Sequence, residues 1–182
     1  MPLKGEAPLS ITVVPGSQMP PEERDAIVRF CTHAYDEDMA PIFATYVEPT
    51  YVLGTVGDAL VSHALWVPRQ LQVGDGPMLH TAYVEAVATA PDWRGRGFAA
   101  AIMRRVAEEI RTYDLGALSP FSEAYYATLG WERWCGPLFV RTDGGLEASP
   151  DDEEVMILRL PRTPMLDVHA PLSVEWRVVE PW

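Results

Sequence analysis

Cysteine is scarce, with two in 182 residues. Cys31 and Cys135 show no ligand spacing, so neither a disulfide framework nor a zinc site is expected. The four histidines (His33, His63, His80 and His169) are scattered, and a lone histidine reads as a surface residue or a hydrogen-bonded core residue. No metal is expected. Long apolar runs are missing too, because charges, glycine or proline interrupt every hydrophobic stretch, which excludes a membrane-spanning helix and leaves no membrane partner. The opening "MPLKGEAPLS" lacks the apolar central region of a secretory signal, so the expected location is cytoplasmic. Positive charge is short as well: 14 Lys and Arg stand against 26 Asp and Glu, a net charge of −12. Phosphate binding needs cationic side chains, so nucleic acid is not an expected partner.

What is present is more telling by position than by total. Residues 1 to 63 carry three positive and nine negative side chains, residues 141 to 182 four and nine, and residues 64 to 140 seven and eight. The middle is nearly neutral, and within it Arg94, Arg96, Arg104, Arg105 and Arg111 outnumber Asp92, Glu108 and Glu109. Such a distribution suits an anion near residue 95 and a cation facing the two acidic ends. Acidity that merely keeps the chain soluble is the plainer alternative.

Residue periodicity gives a mixed α+β order over a single domain, 1–182. "LSITVV" reads as a first strand. "PPEERDAIVRFCTHAY" reads as a helix opened by prolines and acids and burying Ile27, Phe30, Cys31 and Ala34. "PIFATYV" reads as a second short helix. "TYVLGTV", "ALVSHALWV" and "MLHTAYVEAVAT" form an antiparallel meander divided by Gly57-Asp58 and Gly74-Asp75-Gly76. From Phe98 the period becomes helical, with Ala99, Ile102, Met103, Val106 and Ile110 on one stripe. "LGALSP", "PLFVRT" and "EVMILRL" read as strands, "FSEAYYATLG" as a helix, and "DGGLEASPDDEE" as a long polar loop.

The segment "VATAPDWRGRGFAAAIMRRVAEEI" places Arg94-Gly95-Arg96-Gly97 between a strand and a helix N-terminus. The first amides of a helix have no intrahelical acceptor and the dipole is positive there, so this is a seat for an anion. Gly95, Gly97 and Ala100 also fit a dinucleotide fingerprint, but the upstream strands form a meander and no second βαβ unit follows.

"RGRGFA", residues 94 to 99, is similar to the signature of the GCN5-related N-acetyltransferases, the GNAT superfamily, and the element order matches that fold. The resemblance implies a mostly antiparallel mixed sheet splayed at the cofactor strand, with helices on both faces. It implies acetyl-coenzyme A as cofactor, its pyrophosphate held by Arg94, Gly95, Arg96, Gly97, Phe98 and Ala99. Its pantetheine arm would lie along Tyr83 to Thr89, including Val87, Ala88 and Thr89. Many members of the fold pair as homodimers. A closer match lies in "YVEAVAT", "DWRG", "LGALS", "YATLGW" and "VEWRVVEPW", which resemble the aminoglycoside 2′-N-acetyltransferases from about Phe30 to Trp182.

Acetylating an amine requires a base for the ammonium proton, a donor to the thioester oxygen, and an acid for the departing thiolate. Glu85 lies within an apolar strand, where desolvation would raise its pKa toward that of a useful base; solvation on an outward face is the plainer alternative, and the resemblance favours the base. The resemblance names the Val87 N–H as the donor and Tyr126 as the acid, with core packing as the tyrosine's plainer role. For a small cationic acceptor it points to Asp38, Glu85, Ala86, Asp152, Glu180 and Trp182. The last of these offers a ring face and a carboxylate. Ala86 stands where relatives carry glycine, and Glu180 where they carry aspartate. Two other readings remain open: an acetyltransferase for another small amine or peptide, and a non-catalytic coenzyme A-binding domain.

Overall fold

The computed structural model describes residues 7–182; all but the last residues of the opening segment read for a secretory signal lie outside them. The chain divides into two compact units: one holds the residues up to Trp66 together with Glu85–Val106, the other Val67–Val84 and Ala107–Trp182.

In the first unit, β1 (Leu9–Pro15) pairs antiparallel with β2 (Thr50–Val56), which pairs antiparallel with the first half of β3 (Ala59–Val73). Helix α1 (Pro21–Tyr35) begins with Pro at its first position and Glu22 and Glu23 in its first turn, both favourable at the positive end of the dipole. It ends on Asp36, whose φ of 56° is left-handed, with the Asp36 N–H bonded to the Thr32 carbonyl. The short helix α2 (Ala40–Phe43) follows, and the Arg24 guanidinium ties back to the Phe43 carbonyl at 3.2 Å. Ile27 and Cys31 of α1, Phe43 of α2, Tyr51 and Val52 of β2, and Val61, Ala64 and Leu65 of β3 are buried. So are Ile102, Met103 and Val106 of α3 (Phe98–Glu109), three of the stripe read from its period. Each large aliphatic side chain so buried contributes roughly 2 kcal/mol to folding.

The second unit carries the strand order β6-β9-β5-β4-β3-β10-β7-β8. Its strands are the end of β3, the part of β4 (Met78–Thr89) before Glu85, β5 (Leu115–Leu118), β6 (Glu132–Arg133), β7 (Leu138–Thr142), β8 (Gly145–Ala148), β9 (Met156–Arg159) and β10 (Leu172–Glu175). β4 pairs parallel with β5 over Thr81–Tyr83, and β10 pairs parallel with β7. The remaining pairings for which a register is defined are antiparallel, so the sheet is mixed and mostly antiparallel, as expected. Helix α4 (Glu123–Ala127) is capped by the Ser122 side chain, which accepts from the Tyr125 N–H, a favourable N-cap arrangement.

Three features depart from the periodicity reading. β3 runs on through Pro68 to Val73, and its last residues pair with β10. The "GLEA" part of the expected polar loop forms β8, fully exposed and turned back on β7. β6 and β10 have no counterpart in the sequence pattern. No helix among the described residues is long and apolar enough to cross a membrane.

Candidate active site

Strand β4 is interrupted in its second half by a left-handed residue. Ala86 adopts a φ of +50°, a left-handed conformation that costs an L-residue about 1–2 kcal/mol. The carbonyls around this bulge are held by side chains from other elements. His63 Nδ1 lies 2.8 Å from the Ala86 carbonyl, the Tyr35 hydroxyl donates to the Val87 carbonyl at 2.9 Å, and the Ser62 hydroxyl donates to the Ala88 carbonyl at 3.1 Å. Arg94 Nε donates to the Thr89 carbonyl at 3.2 Å. Four successive carbonyls, 86 to 89, thus each meet a side-chain donor.

Glu85 precedes the bulge and is half-buried. The Tyr46 hydroxyl donates to its Oε2 at 3.4 Å. Tyr35 feels the same carboxylate: its phenol is pushed above the usual tyrosine range, first by desolvation, then by the charges of Cys31 and Glu85. It therefore stays a neutral donor at working pH. Sequence reasoning misses Tyr35 and Tyr46, since a tyrosine at a helix end and one in a short loop carry no motif.

The strand strain at Ala86 makes a direct prediction. Ala86→Gly should fold with unchanged or slightly higher stability, whereas Ala86→Val should lose roughly 2 kcal/mol in urea unfolding, because a β-branched residue fits a left-handed position worst.

After β4, a single 3-10 turn at Pro91–Trp93 leads into Arg94-Gly95-Arg96-Gly97 and then α3. Gly95 and Gly97 have φ values of 75° and 81°, and a Cβ built on either would meet nothing within 4 Å. The turn is therefore open to a ligand on its glycine faces. The Ala101 N–H closes the first helical turn on the Gly97 carbonyl at 3.0 Å, and helix geometry leaves the amides of Phe98, Ala99 and Ala100 without an intrahelical acceptor. Arg94 braces the turn: besides Thr89, it bonds the Ala34 carbonyl at 2.8 Å. Arg96 lies over the Trp93 ring, 4.5 Å from its centroid, and Trp93 stacks on Phe98. Their positive charges remain at the turn, but Arg94 in particular is fixed on main-chain carbonyls.

Asp38 is exposed, its Oδ1 accepting from the Ala40 N–H at 3.0 Å. It lines a groove at the end of α1 with Asp36, Glu37 and His33.

The remaining residues belong to the second unit. Tyr126 is 2% exposed and packs edge-on against Phe121, Tyr125 and Trp131. Asp152 and Glu180 come together around Glu153, whose carboxyl is raised first by burial, then by the Glu180 charge, and less by Asp152, against a lowering hydrogen bond from Ser119. Nothing in "PDDEE" singles out Glu153 among its acids; only the fold shows it to be the half-buried one. The indole of Trp182 is 4% exposed and its Nε1 donates to Ser149 Oγ at 2.7 Å. That packing corrects the expected ring-face contact to substrate, because the ring is enclosed by the protein itself. Arg69, buried beneath Glu175, bonds the Glu175 side chain at 2.7 Å and the Pro181 carbonyl at 2.9 Å, anchoring the segment that leads to Trp182.

The family model described as an acetyltransferase (GNAT) domain matches residues 17–134. The chain belongs to the GNAT acetyltransferase family. An aminoglycoside 2′-N-acetyltransferase of Mycolicibacterium fortuitum is 40% identical over 130 residues, which are 68% of this chain and 66% of that protein, just under two thirds of its length. Among solved structures, a GNAT family N-acetyltransferase of Escherichia coli in complex with CoA superposes with a TM-score of 0.63 at 14% identity, covering 93% of this chain and 91% of that one. A probable N-acyltransferase of Enterococcus faecalis superposes with a TM-score of 0.57 at 21% identity over 69% of this chain and 33% of that one, about a third of its length.

Proposed function

We propose that the chain, acting as one acetyltransferase domain in the cytoplasm, moves the acetyl group of acetyl-coenzyme A to an amine of an aminoglycoside, the 2′-amino group, by direct attack within a ternary complex. The observation that carries this reading is the open Gly95–Gly97 turn at the start of α3, directly after the strand that bears Glu85. The 40% identical relative supports the acceptor class.

The turn's left-handed glycines and the leading amides of α3 fit a pyrophosphate, with Arg94 and Arg96 supplying positive charge. Val87, Ala88 and Thr89 would lie along the pantetheine arm. When bound, acetyl-coenzyme A supplies an acetyl group already activated as a thioester. Glu85 takes the proton of the attacking ammonium, directly or through water, the Val87 N–H donates to the thioester oxygen, and the Tyr126 hydroxyl gives its proton to the thiolate. On the acceptor side, Asp38 and Ala86 of the first unit, and Asp152, Glu180 and the Trp182 carboxylate of the second, are the residues assigned to the cationic sugar. The mutual repulsion felt by Glu153 in the presence of Glu180 and Asp152 is what a polycationic sugar would relieve.

A thiol-release assay on a panel of aminoglycosides, spermidine and a short peptide tests this, with NMR of the product to locate the acetyl group. Transfer to the 2′-amine supports the reading. Activity only on spermidine or the peptide replaces the acceptor, and release with none of them leaves a binding domain. The turn has its own prediction: Gly97→Val should weaken coenzyme A binding about tenfold by calorimetry, because the new side chain strains a left-handed position by more than about 1 kcal/mol. Unchanged affinity would remove the anion seat from residues 94 to 99.

A further inference from the structure

His63 lies in the middle of β3, fully buried, with the rings of Phe43 and Tyr51 centred 6.2 and 6.0 Å away. A buried imidazole is ordinarily hydrogen-bonded at both nitrogens. Here Nδ1 faces the Ala86 carbonyl at 2.8 Å, while Nε2 has no hydrogen-bond partner among the described residues. Because a carbonyl only accepts, Nδ1 must carry the proton, and Nε2 is the acceptor nitrogen, met by no described residue. Cys31 Sγ stands 3.5 Å from the same Nδ1. Its thiol is pushed up to about 12 by burial and stays neutral, so it acts as a second, weak acceptor.

Burying a polar ring is costly, and an apolar residue would fill the same place without that cost. What the histidine supplies in exchange is one hydrogen bond, and that bond ends on the single strained residue of the site strand. Ala86 is flanked by Glu85 on one side and Val87 on the other, so the direction of the Ala86 carbonyl sets the peptide planes on both sides of it. We infer that His63 is a positioning residue: its Nδ1–H holds the Ala86 bulge in its left-handed form and thereby aims the Glu85 carboxylate and the Val87 N–H. The effect on turnover rests on the acetyl transfer proposed above; the effect on the backbone does not.

The test uses three variants of the full chain. In asparagine the amide nitrogen is bonded to Cγ, as Nδ1 is, so His63→Asn keeps the donor in place. In His63→Gln the nitrogen sits one bond further out, near where Nε2 was, and His63→Leu has no donor. Urea unfolding first establishes that each is folded. Amide hydrogen exchange at residues 85 to 88 should then be about tenfold faster or more in the Leu and Gln variants, as expected when local structure loosens, and close to wild type in His63→Asn. Turnover with the best acceptor should fall about 100-fold in the Leu and Gln variants, in line with what a misplacement near 1 Å costs, while the KM for acetyl-coenzyme A stays within about twofold. A purely structural histidine would lower stability in all three without separating Asn from Gln. If exchange at 85 to 88 is unchanged in folded His63→Leu or His63→Gln, or if Gln restores it as well as Asn, the inference is overturned. Should wild type acetylate no amine while the exchange pattern holds, the proposed function fails and His63 still stands as the residue that fixes the bulge.

Discussion

The Glu85→Gln variant is expected to turn over about 100- to 10,000-fold more slowly than wild type, the span of a lost general base. Glutamine matches glutamate in shape and can still accept from the Tyr46 hydroxyl, which sits 3.4 Å from Oε2. The bulge at Ala86 and the carbonyl contacts beyond it involve main chain rather than this carboxylate, so the fold and the turn are left intact. Coenzyme A affinity should therefore be unchanged, and the loss should fall on kcat. The deficit should also depend on pH. At low pH the acceptor amine arrives as ammonium and needs a base, whereas at high pH it arrives free and the variant should recover toward wild type. Rates equal to wild type at every pH would move the base elsewhere.

How much of this was legible differs between the fold and the site. Strands β2 and β4 coincide with "TYVLGTV" and "MLHTAYVEAVAT", because both are short β-branched or aromatic segments bounded by turn residues, and local pattern decides them. The second half of β3 was hidden by Pro68, which reads as a break. β8 was hidden by its exposed, polar composition, and β10 by partners 34 or more residues away, at β7 and β3. At the site, the glycine turn announces itself, since only glycine passes easily through positive φ. The carbonyl donors do not: His63, Ser62 and Tyr35 lie 23, 26 and 52 residues from the atoms they hold. None belongs to a motif: Ser62 and His63 stand side by side within the otherwise apolar first half of β3, and Tyr35 ends α1 just before Asp36. The sequence alone identifies His63 as either a surface or a hydrogen-bonded core residue; only the pairing of β3 with its neighbours brings it to Ala86.

The same histidine should make the protein sensitive to acid. Burial lowers the His63 pKa from 6.5 to about 4, the bond to the Ala86 carbonyl opposing part of that shift. Between pH 6.5 and 4 the unfolded chain therefore binds a proton at this position that the folded chain refuses. Stability rises with pH wherever the unfolded state holds more protons, so this contribution is complete above about pH 6.5 and is lost as pH falls toward about 4. The slope approaches about 1.4 kcal/mol per pH unit and the whole loss is about 3 kcal/mol. His63→Leu cannot take up that proton, and its unfolding free energy should be flatter over the same interval. Urea denaturation at about pH 7, 6 and 5 reads the difference: wild type should lose about 2 kcal/mol more than the variant between the outer two. Carboxylate titration is common to both proteins and cancels in the comparison. Parallel curves would mean that the folded protein protonates His63 as readily as the unfolded chain does. An imidazolium there would carry its second proton at Nε2, among the rings of Phe43 and Tyr51, while its Nδ1–H would still meet the Ala86 carbonyl, so this titration tests the neutral state of the ring and amide exchange tests its hold on the backbone.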